Sequence, residues 1–385
     1  MSADRERQPS RFENAYVGLA GALFTFAMGL SAVAIPLFAL SAGYSAGQVG
    51  LLVALSACAQ LGIRAGMGAL MRHVAPKHFV SAAGVLISLS CLVLVVSTGW
   101  WAFACSQLAQ GAARGFFWTG AQTHVVRTSH SSVAAIARIN LTSGIGQILG
   151  PLLAGPAIQH LSVAWTLSCA GIAGALAVLP SSLMVCLPPL RPAKKRRAAR
   201  SAWRRSGVGL ASWAGASAGG WRAMMNSYVP VVLAEAGHAA SAIGVVVAVA
   251  NSMSIAGGAG AGWIRARRLR LALVAGMMTT GVGLAMFGLL GGDLVAAATA
   301  LAVSGIGAGL LQTVGPALAS ETVNPEERGE AIATAGTYRA AALLITPLGV
   351  AALLTMMATS AAVALTGLVM VSATVLNRRG NETSD

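Results

Sequence analysis

Residues 14–63 read NAYVGLAGALFTFAMGLSAVAIPLFALSAGYSAGQVGLLVALSACAQLGI and contain no Asp, Glu, Lys or Arg. A helix needs about 20 apolar residues to cross a bilayer, so this run is long enough for two crossings. Residues 139–190 form a second run without a charged residue and again allow two crossings. These runs predict a membrane protein that crosses the bilayer several times.

The composition of the whole chain agrees with this prediction. Hydrophobic residues make up 56% of the 385 residues, charged residues make up 10%, and the mean hydropathy is +0.72. A soluble globular domain has about 25% charged residues, so the composition excludes an ordinary soluble enzyme. The net charge of +15 comes from basic residues that stand between apolar runs, as in cytoplasmic loops, and we predict no nucleic-acid partner.

Motifs of enzymes and metal sites are missing from the sequence. The chain has no GxGxxG that opens a strand–helix unit, no GxxxxGK[ST] and no HExxH. The five cysteines lie in or beside apolar stretches without CxxC spacing, which argues against a disulfide framework or a zinc site. We therefore predict no enzyme activity, no cofactor and no bound metal.

Charges, turn residues and Gly or Pro breaks divide the chain into twelve predicted helices. They cover residues 15–40, 47–70, 79–97, 101–124, 136–159, 163–186, 207–233, 240–263, 270–290, 294–316, 331–354 and 358–376. The predicted organisation, from the N-terminus on, is a cytoplasmic segment (1–14), a six-helix bundle (15–186), a basic cytoplasmic linker (187–206), a second six-helix bundle (207–376) and a cytoplasmic tail (377–385).

The predicted loops that contain Lys or Arg all lie on one side of the predicted membrane. That side carries Arg5, Arg7, Arg11, Arg72, Lys77, Arg127, the run Arg191–Arg205, Arg265–Arg270, Arg328, Arg378 and Arg379. The opposite loops have no Lys or Arg and contain the acids Glu235 and Asp293. Cytoplasmic loops are enriched in basic residues, so both termini are predicted to be cytoplasmic in a cytoplasmic (inner) membrane.

The two predicted halves carry related patterns. Gly68-Ala-Leu-Met-Arg72 follows span 2, and Gly260-Ala-Gly-Trp-Ile-Arg265 follows span 8. Weak internal symmetry of this kind is typical of secondary transporters.

Span 5 contains Gly146-Gln-Ile-Leu-Gly150-Pro151-Leu-Leu-Ala-Gly155. In its letters and its position this stretch resembles the antiporter motif of the major facilitator superfamily, and in particular of the twelve-span drug and metabolite exporters. The resemblance covers residues 15–376 and implies the major facilitator fold, which is an all-α fold of two pseudo-symmetric six-helix bundles. Glycines permit close helix approach and proline permits a bend, so plain helix packing is the alternative reading of this motif.

Two further stretches resemble the family only in part. The loop from Gly68 through Arg72 to Lys77 is similar to the signature G-x-L-x-D-R-x-G-R-K, but Arg72 stands where the family has an aspartate, so the interdomain contacts of that acid cannot form in the same way. In span 4, Gln110-Gly111 matches a family pattern whose arginine position holds Gln107 here. Arg114 lies one helical turn further on and is a candidate replacement.

Arg114, Arg222 and Arg339 fall well inside predicted spans. A charge at that depth costs about 2.5–3.5 kcal/mol on insertion scales, so each must face a cavity or a partner. No acidic residue lies between Glu13 and Glu235. We predict that the three arginines bind an anionic or zwitterionic substrate, because guanidinium pairs well with carboxylate or phosphate. Bonds to helix carbonyls or amide side chains are the alternative.

Aromatic and titratable residues complete the predicted site. Trp118, Tyr228 and Tyr338 lie near these arginines in the sequence and are predicted to form walls around the ligand. The resemblance implies proton coupling through a carboxylate in the first or fourth span, which the predicted spans lack. The remaining candidates for coupling are His124, Glu235, Asp293 and Glu321, and a solvated helix end is the alternative for each.

The sequence thus predicts a secondary transporter that works by alternating access. The leading hypothesis is export of a small amphipathic metabolite or drug in exchange for protons, which rests on the span 5 motif. An importer or exchanger of organic anions is the alternative, which rests on the arginines. A receptor with a transporter fold that binds its ligand without moving it is the second alternative.

Overall fold

The computed structural model describes residues 12–129, 132–189, 206–264, 266–324 and 328–382, and these residues are nearly all helical. The helices are α1 (Glu13–Ser41), α2 (Ala46–Leu70), α3 (Pro76–Val96), α4 (Trp100–Thr128), α5 (Ser132–His160), α6 (Val163–Leu176), α7 (Val178–Leu183), α8 (Ser206–Asn226), α9 (Tyr228–Glu235), α10 (Ala240–Gly260), α11 (Leu269–Leu290), α12 (Leu294–Glu321), α13 (Arg328–Leu353) and α14 (Thr359–Glu382). The basic residues Arg5, Arg7, Arg11, Arg191–Arg205 and Arg265 lie outside the described residues, as do the side chains of Arg378 and Arg379.

Every predicted span coincides with one helix or with two consecutive helices. Helices α6 and α7 together occupy span 6, and α8 and α9 together occupy span 7. The largest difference at an end is in the last span, which is predicted to stop at residue 376 and continues as α14 to Glu382.

The breaks inside spans 6 and 7 have a common cause. Pro180 lies four residues after Leu176, where α6 ends, and Pro230 lies four residues after Asn226, where α8 ends. Proline has no backbone N–H to donate to the carbonyl four residues earlier, so each helix loses a hydrogen bond at its break. Other prolines lie inside helices that continue, for example Pro36 in α1, so proline permits a break without imposing one.

Glycines make two of the tight turns between helices. Gly43, after α1, has φ +89°, and Gly237, after α9, has φ +82°. A side chain disfavours this left-handed conformation, so glycine is the residue suited to both turns. The turns occupy equivalent places in the two halves, between spans 1 and 2 and between spans 7 and 8.

In the described part of the chain, nine helical segments are long and apolar enough to cross a membrane. They are Glu13–Ser41, Ala46–Leu70, Pro76–Val96, Arg138–His160, Val163–Leu183, Ala240–Trp263, Leu269–Leu290, Leu294–Glu321 and Thr334–Leu353. Helix α14 contributes a shorter apolar stretch, Thr359–Ser372. The count of twelve crossings stays a prediction, because α4 and the α8–α9 pair carry more polar residues.

The helices form two compact units. The first takes the described parts of residues 1–31, 58–150 and 161–194, and the second takes those of residues 32–57, 151–160 and 195–385. The boundary therefore runs through α1, α2 and α5, so the ends of these helices on the predicted outer side belong to the second unit. The domain limits at residues 186 and 207 stay a prediction.

Close helix pairs build the first unit. Helix α1 packs on α5, α2 on α4, and α3 on α4 and α6. A Cβ added to Gly84 of α3 would lie 2.8 Å from the carbonyl oxygen of Gly174 in α6, so the two backbones touch. Phe24 and Phe117 stack in the core with ring centroids 4.2 Å apart.

The second unit repeats these pairs six spans later. Helix α8 packs on α13, α10 on α12, and α11 on α12 and α14. Here α6–α7 and α8–α9 each count as one span. The packing of span 7 on span 11 then corresponds to that of span 1 on span 5, 8 on 10 corresponds to 2 on 4, and 9 on 12 corresponds to 3 on 6. The internal symmetry expected from the sequence is therefore present in the helix packing.

Candidate functional site

Arg222 lies near the middle of the α8–α9 pair, as the sequence predicted. Its Nη1 donates to Oδ1 of Asn251 in α10 over 2.9 Å, and its guanidinium carbon lies 5.1 Å from the centroid of the Trp221 ring. Trp221 is buried, and its indole N–H donates to Oγ of Ser304 in α12 over 2.7 Å. Arg222 thus contacts α10 directly, and Trp221 links it to α12.

Arg339 forms a second pair with a neutral amide. Its Nη2 donates to Oε1 of Gln312 in α12 over 2.8 Å. The backbone of Arg339 touches Gly219 of α8, where an added Cβ would overlap the Arg339 carbonyl oxygen. Gly219 lies one helical turn before Arg222. The backbones of Arg222 and Arg339 are therefore at similar heights on the packed helices α8 and α13.

The partners Asn251 and Gln312 are uncharged amides, and the acids of the described second half lie near helix ends. Each acid in the described residues from 206 onward is within three residues of a helix end: Glu235, Asp293, Glu321, Glu330 and Glu382. An amide oxygen satisfies a guanidinium N–H but leaves its positive charge in place. The second unit therefore carries two cationic groups at a depth where its helices have no carboxylate.

Helix α4 supplies a polar strip to the first unit. Gln107, Gln110 and Arg114 follow one another at spacings of three and four residues, which places them on one face. Arg114 lies midway along α4, and its Nη2 donates to Oε1 of Gln110 over 3.3 Å. Gln110 is buried, and its Nε2 has no hydrogen-bond partner among the described residues.

The three predicted aromatic residues occupy different environments. Trp118 is half-buried and meets Phe117 edge-on, with ring centroids 5.3 Å apart. Tyr228 is fully buried, and its O–H donates to the Pro347 carbonyl oxygen over 3.2 Å. Tyr338 is 41% exposed. Tyr228 is thus a packing residue in this structure, and substrate contact by any of the three stays a prediction.

The span 5 motif makes backbone contacts along its whole length. Gly146 and Gly150 lie against α1, where an added Cβ on Gly150 would be 2.6 Å from the Cα of Gly29. Further along α5, Gly155 touches the backbone of Ala240 and Ser241 in α10. The Pro151 carbonyl oxygen occupies the space that a Cβ on Gly244 of α10 would need.

In the loop that resembles the family signature, Lys77 contacts another part of the first unit, whereas Gly68 and Arg72 do not pack closely. Gly68 has no neighbouring atom within 4 Å of an added Cβ, and Arg72 is exposed. Lys77 is half-buried, and its Nζ donates to the Met184 carbonyl oxygen over 3.3 Å.

The predicted coupling residues differ in burial. Glu235 is exposed and accepts a hydrogen bond from Thr359, while Asp293 is exposed and caps α12 by accepting the Ala296 N–H over 2.9 Å. Glu321 is exposed at the end of α12. His124 is fully buried, which excludes the alternative of a solvated helix end.

His124 pairs with a residue that the sequence analysis did not select. Its Nε2 lies 2.5 Å from Oε1 of Glu13, whose side chain is 3% exposed. Glu13 is the first residue of α1, whereas the predicted span began at residue 15 and therefore lacked a carboxylate. An acidic residue is stabilising in the first turn of a helix, and this is the sequence signal that could have placed Glu13 at the start of α1. Its pairing with a residue 111 positions away has no local signal.

The family model described as Major Facilitator Superfamily matches residues 17–347. This chain belongs to the major facilitator superfamily. It is therefore a multi-pass membrane protein of a transporter family, and the all-α major facilitator fold expected from the sequence is confirmed. Curated proteins gave no match.

Solved transporters share the fold at low sequence identity. A POT family transporter in complex with a thioalcohol-conjugated peptide has a TM-score of 0.80 at 11% identity, with 96% of each chain covered. The nucleoside transporter NupG has a TM-score of 0.73 at 13% identity, over 94% of this chain and 97% of that one. A bacterial homolog of the human lysosomal transporter Spinster has a TM-score of 0.67 at 14% identity, over 96% and 95%.

Proposed function

We propose that this protein is a secondary transporter for a small amphipathic molecule with an anionic or zwitterionic group. The observation that carries the proposal is the pair of arginine–amide contacts, Arg222 with Asn251 and Arg339 with Gln312. An arginine deep in a membrane protein is costly, so its retention favours a functional reason. Guanidinium binds carboxylate or phosphate with two parallel hydrogen bonds, a geometry that a lipophilic cation cannot use.

The amide partners suit a site that is filled and emptied in each cycle. A buried carboxylate beside each arginine would compete with an anionic ligand for the same N–H donors. An amide oxygen keeps the empty site hydrogen-bonded while leaving its charge available. A solved transporter of the same fold holds 5-aminolevulinic acid, an amino acid, which fits this ligand class, although the 11% identity shows only the fold.

Export in exchange for protons is the direction and coupling that we propose, and the support is the span 5 motif. Gly146, Gly150, Pro151 and Gly155 make the close contacts that such a motif requires at a moving helix. The basic loops support an inner-membrane location with both termini in the cytoplasm. Import or exchange of organic anions is the second candidate, and it is favoured by the arginines themselves.

Ligand-induced thermal stabilisation of the detergent-purified protein tests the substrate class. The panel contains organic anions, zwitterions and lipophilic cations, because a ligand that binds the folded state raises its apparent stability by mass action. We expect anions or zwitterions to stabilise the wild type, and Arg222→Gln and Arg339→Gln to need at least about tenfold more ligand for the same shift.

The matched control is Arg267→Gln, which removes an exposed arginine from the loop before α11. We expect it to respond as the wild type does. Stabilisation by lipophilic cations alone, equal in all four proteins, would show that Arg222 and Arg339 only organise the helices.

A further inference from the structure

The residues that follow α7 are tied to three helices of the first unit. The contacts are Lys77 Nζ to the Met184 carbonyl oxygen (3.3 Å), the Val185 N–H to Oε1 and Oε2 of Glu13 (3.0 and 3.2 Å), and Arg127 Nη1 to the Pro188 carbonyl oxygen (2.8 Å). We call Glu13, Lys77, His124 and Arg127 the clasp. The clasp holds residues 184–188, which lead into the predicted linker.

The Glu13 carboxylate is the centre of the clasp. It accepts the Val185 N–H and faces Nε2 of His124, and both side chains are almost fully buried. A carboxylate accepts hydrogen bonds at both oxygens, so an imidazole with its proton on Nε2 completes the arrangement. This assignment leaves Nδ1 of His124 without a proton.

A second proton on the ring has no acceptor among the described residues. Nδ1 of His124 is buried, and no described atom forms a hydrogen bond with it. Protonation would turn Nδ1 into a buried donor without an acceptor, which is unfavourable. Protonation of Glu13 instead would remove the charge that accepts the N–H groups of His124 and Val185. The docked arrangement therefore resists uptake of a proton by the ring of His124.

The charged groups around the pair act in the same direction. The positive charges of Arg127 in α4 and Lys77 in α3 disfavour a positive charge on the His124 ring. Arg138 of α5 lines a small cavity together with Asn14 and Val125, the neighbours in sequence of Glu13 and His124. The segment after α7 contributes the Val185 N–H. Arg127 and Lys77, on two helices, therefore both oppose an imidazolium at His124.

We propose that Glu13 and His124 form a proton-binding site whose occupation releases residues 184–188 from the first unit. The released ring is hydrated and binds a proton with the ordinary pKa of about 6.5, whereas the docked ring has no place for one. The released state therefore binds more protons, and by linkage a fall in pH through about 6.5 favours it. One proton is taken up from the side on which α1 begins, the hydrogen bonds between the clasp and residues 184–188 break, and no covalent bond other than the new N–H is made or broken.

The test uses a spin label on Cys186, which is exposed and lies beside Val185. Cys58, Cys105 and Cys169 are replaced by alanine, and the buried Cys91 is kept. The full-length protein is reconstituted in liposomes, and the ratio of mobile to immobile label is measured by electron paramagnetic resonance. We expect this ratio to rise about fivefold or more when the pH is lowered from about 8 to about 5.5. Fivefold corresponds to the lower end of the free-energy cost of a buried donor without an acceptor.

Three variants separate the proton site from a general loosening. His124→Gln keeps an N–H donor toward Glu13 but does not titrate, so we expect an immobile label at both pH values. Glu13→Gln removes the carboxylate that accepts the Val185 N–H, so we expect a mobile label at both pH values. His73→Gln is the matched control, because it removes an exposed histidine from the loop between α2 and α3, and we expect it to respond as the wild type does.

Hydrogen exchange at the Val185 amide, corrected for its intrinsic pH dependence, gives a second readout of the same bond. A pH-independent label in the wild type, or an unchanged pH response in His124→Gln, would overturn the proposal. Neither measurement uses a substrate or a flux, so a failure of the proposed transport function would leave the result intact.

Discussion

Arg222, Trp221, Asn251 and Ser304 form a small network of polar contacts on three helices of the second unit. The Trp221 ring lies beside the guanidinium, and the indole N–H is satisfied by Ser304. A hydrogen-bonded indole cannot rotate freely, so Ser304 fixes the surface against which Arg222 rests. The network therefore fixes the position of the Arg222 guanidinium.

Ser304→Ala removes the acceptor of the buried Trp221 N–H. We expect it to lower the free energy of unfolding by about 1 kcal/mol, because a buried donor loses its partner inside a membrane protein. Thermal unfolding in detergent measures the change. Ser252→Ala is the control, since within the described residues the Ser252 hydroxyl donates to the Ala248 carbonyl oxygen of its own helix and to no other helix. Equal stability of the two variants would show that the indole is satisfied in another way.

The sequence predicted the depth of the arginines better than it predicted their partners. The positions of Arg114, Arg222 and Arg339 inside spans follow from counting residues, and the structure places all three well inside helices. Their partners Gln110, Asn251 and Gln312 do not follow, because a polar amide in an apolar span has the same local signature whether it faces an arginine or a carbonyl. Glu13 was missed for a related reason, since its burial depends on α4 and on the chain after α7.

Helix α5 shows how one element serves two sets of contacts. Its Gly146 and Gly150 lie against α1, and its Pro151 carbonyl and Gly155 lie against α10. Helix α2 makes a comparable contact at Gly50, where the absence of a side chain leaves room for the buried Tyr228 ring of α9. Both contacts lie at the predicted outer ends of the helices, so in the proposed export mechanism we expect them to separate when the substrate leaves on that side.

Gly155→Leu places a side chain where the backbone of α10 now lies. We expect overpacking to destabilise this contact by about 1–3 kcal/mol and to expose the nearby Ser241 position. A Ser241→Cys variant reports the exposure through its rate of reaction with a membrane-impermeant maleimide, which should rise when Gly155→Leu is added. Gly66→Ala in α2, where an added Cβ meets no atom within 4 Å, should leave the rate unchanged. An unchanged rate with Gly155→Leu would mean that α5 and α10 do not control access to this position.

The sequence predicted the helices closely because apolar length and loop charge are local properties. It did not predict the interruptions at Ala177 and Ser227, although Pro180 and Pro230 permit them, because Pro36 and Pro151 lie in helices that continue. Whether a proline interrupts a helix depends on the neighbours that pack around it. The pairing of helices likewise depends on contacts far apart in sequence, such as Gly84 with Gly174.

At the scale of the molecule, two compact units repeat one set of helix pairs. The repeated packing and the family assignment support transport by alternating access, in which two related halves expose a site in turn. The proposed account places two cationic groups of the second unit at such a site and gives the first unit a polar strip on α4. It also gives the first unit the clasp, whose proton site is distinct from these arginines.

Counterflow exchange in proteoliposomes tests whether Arg222 recognises a transported substrate, with the compound that best stabilises the wild type as both internal load and external label. We expect saturable exchange by the wild type and by Arg267→Gln, and a loss of at least about tenfold in apparent affinity for Arg222→Gln. Saturable binding without exchange would indicate a receptor. Exchange of lipophilic cations that is equally fast in Arg222→Gln would contradict the account, because the buried arginine would then have no part in recognising the substrate.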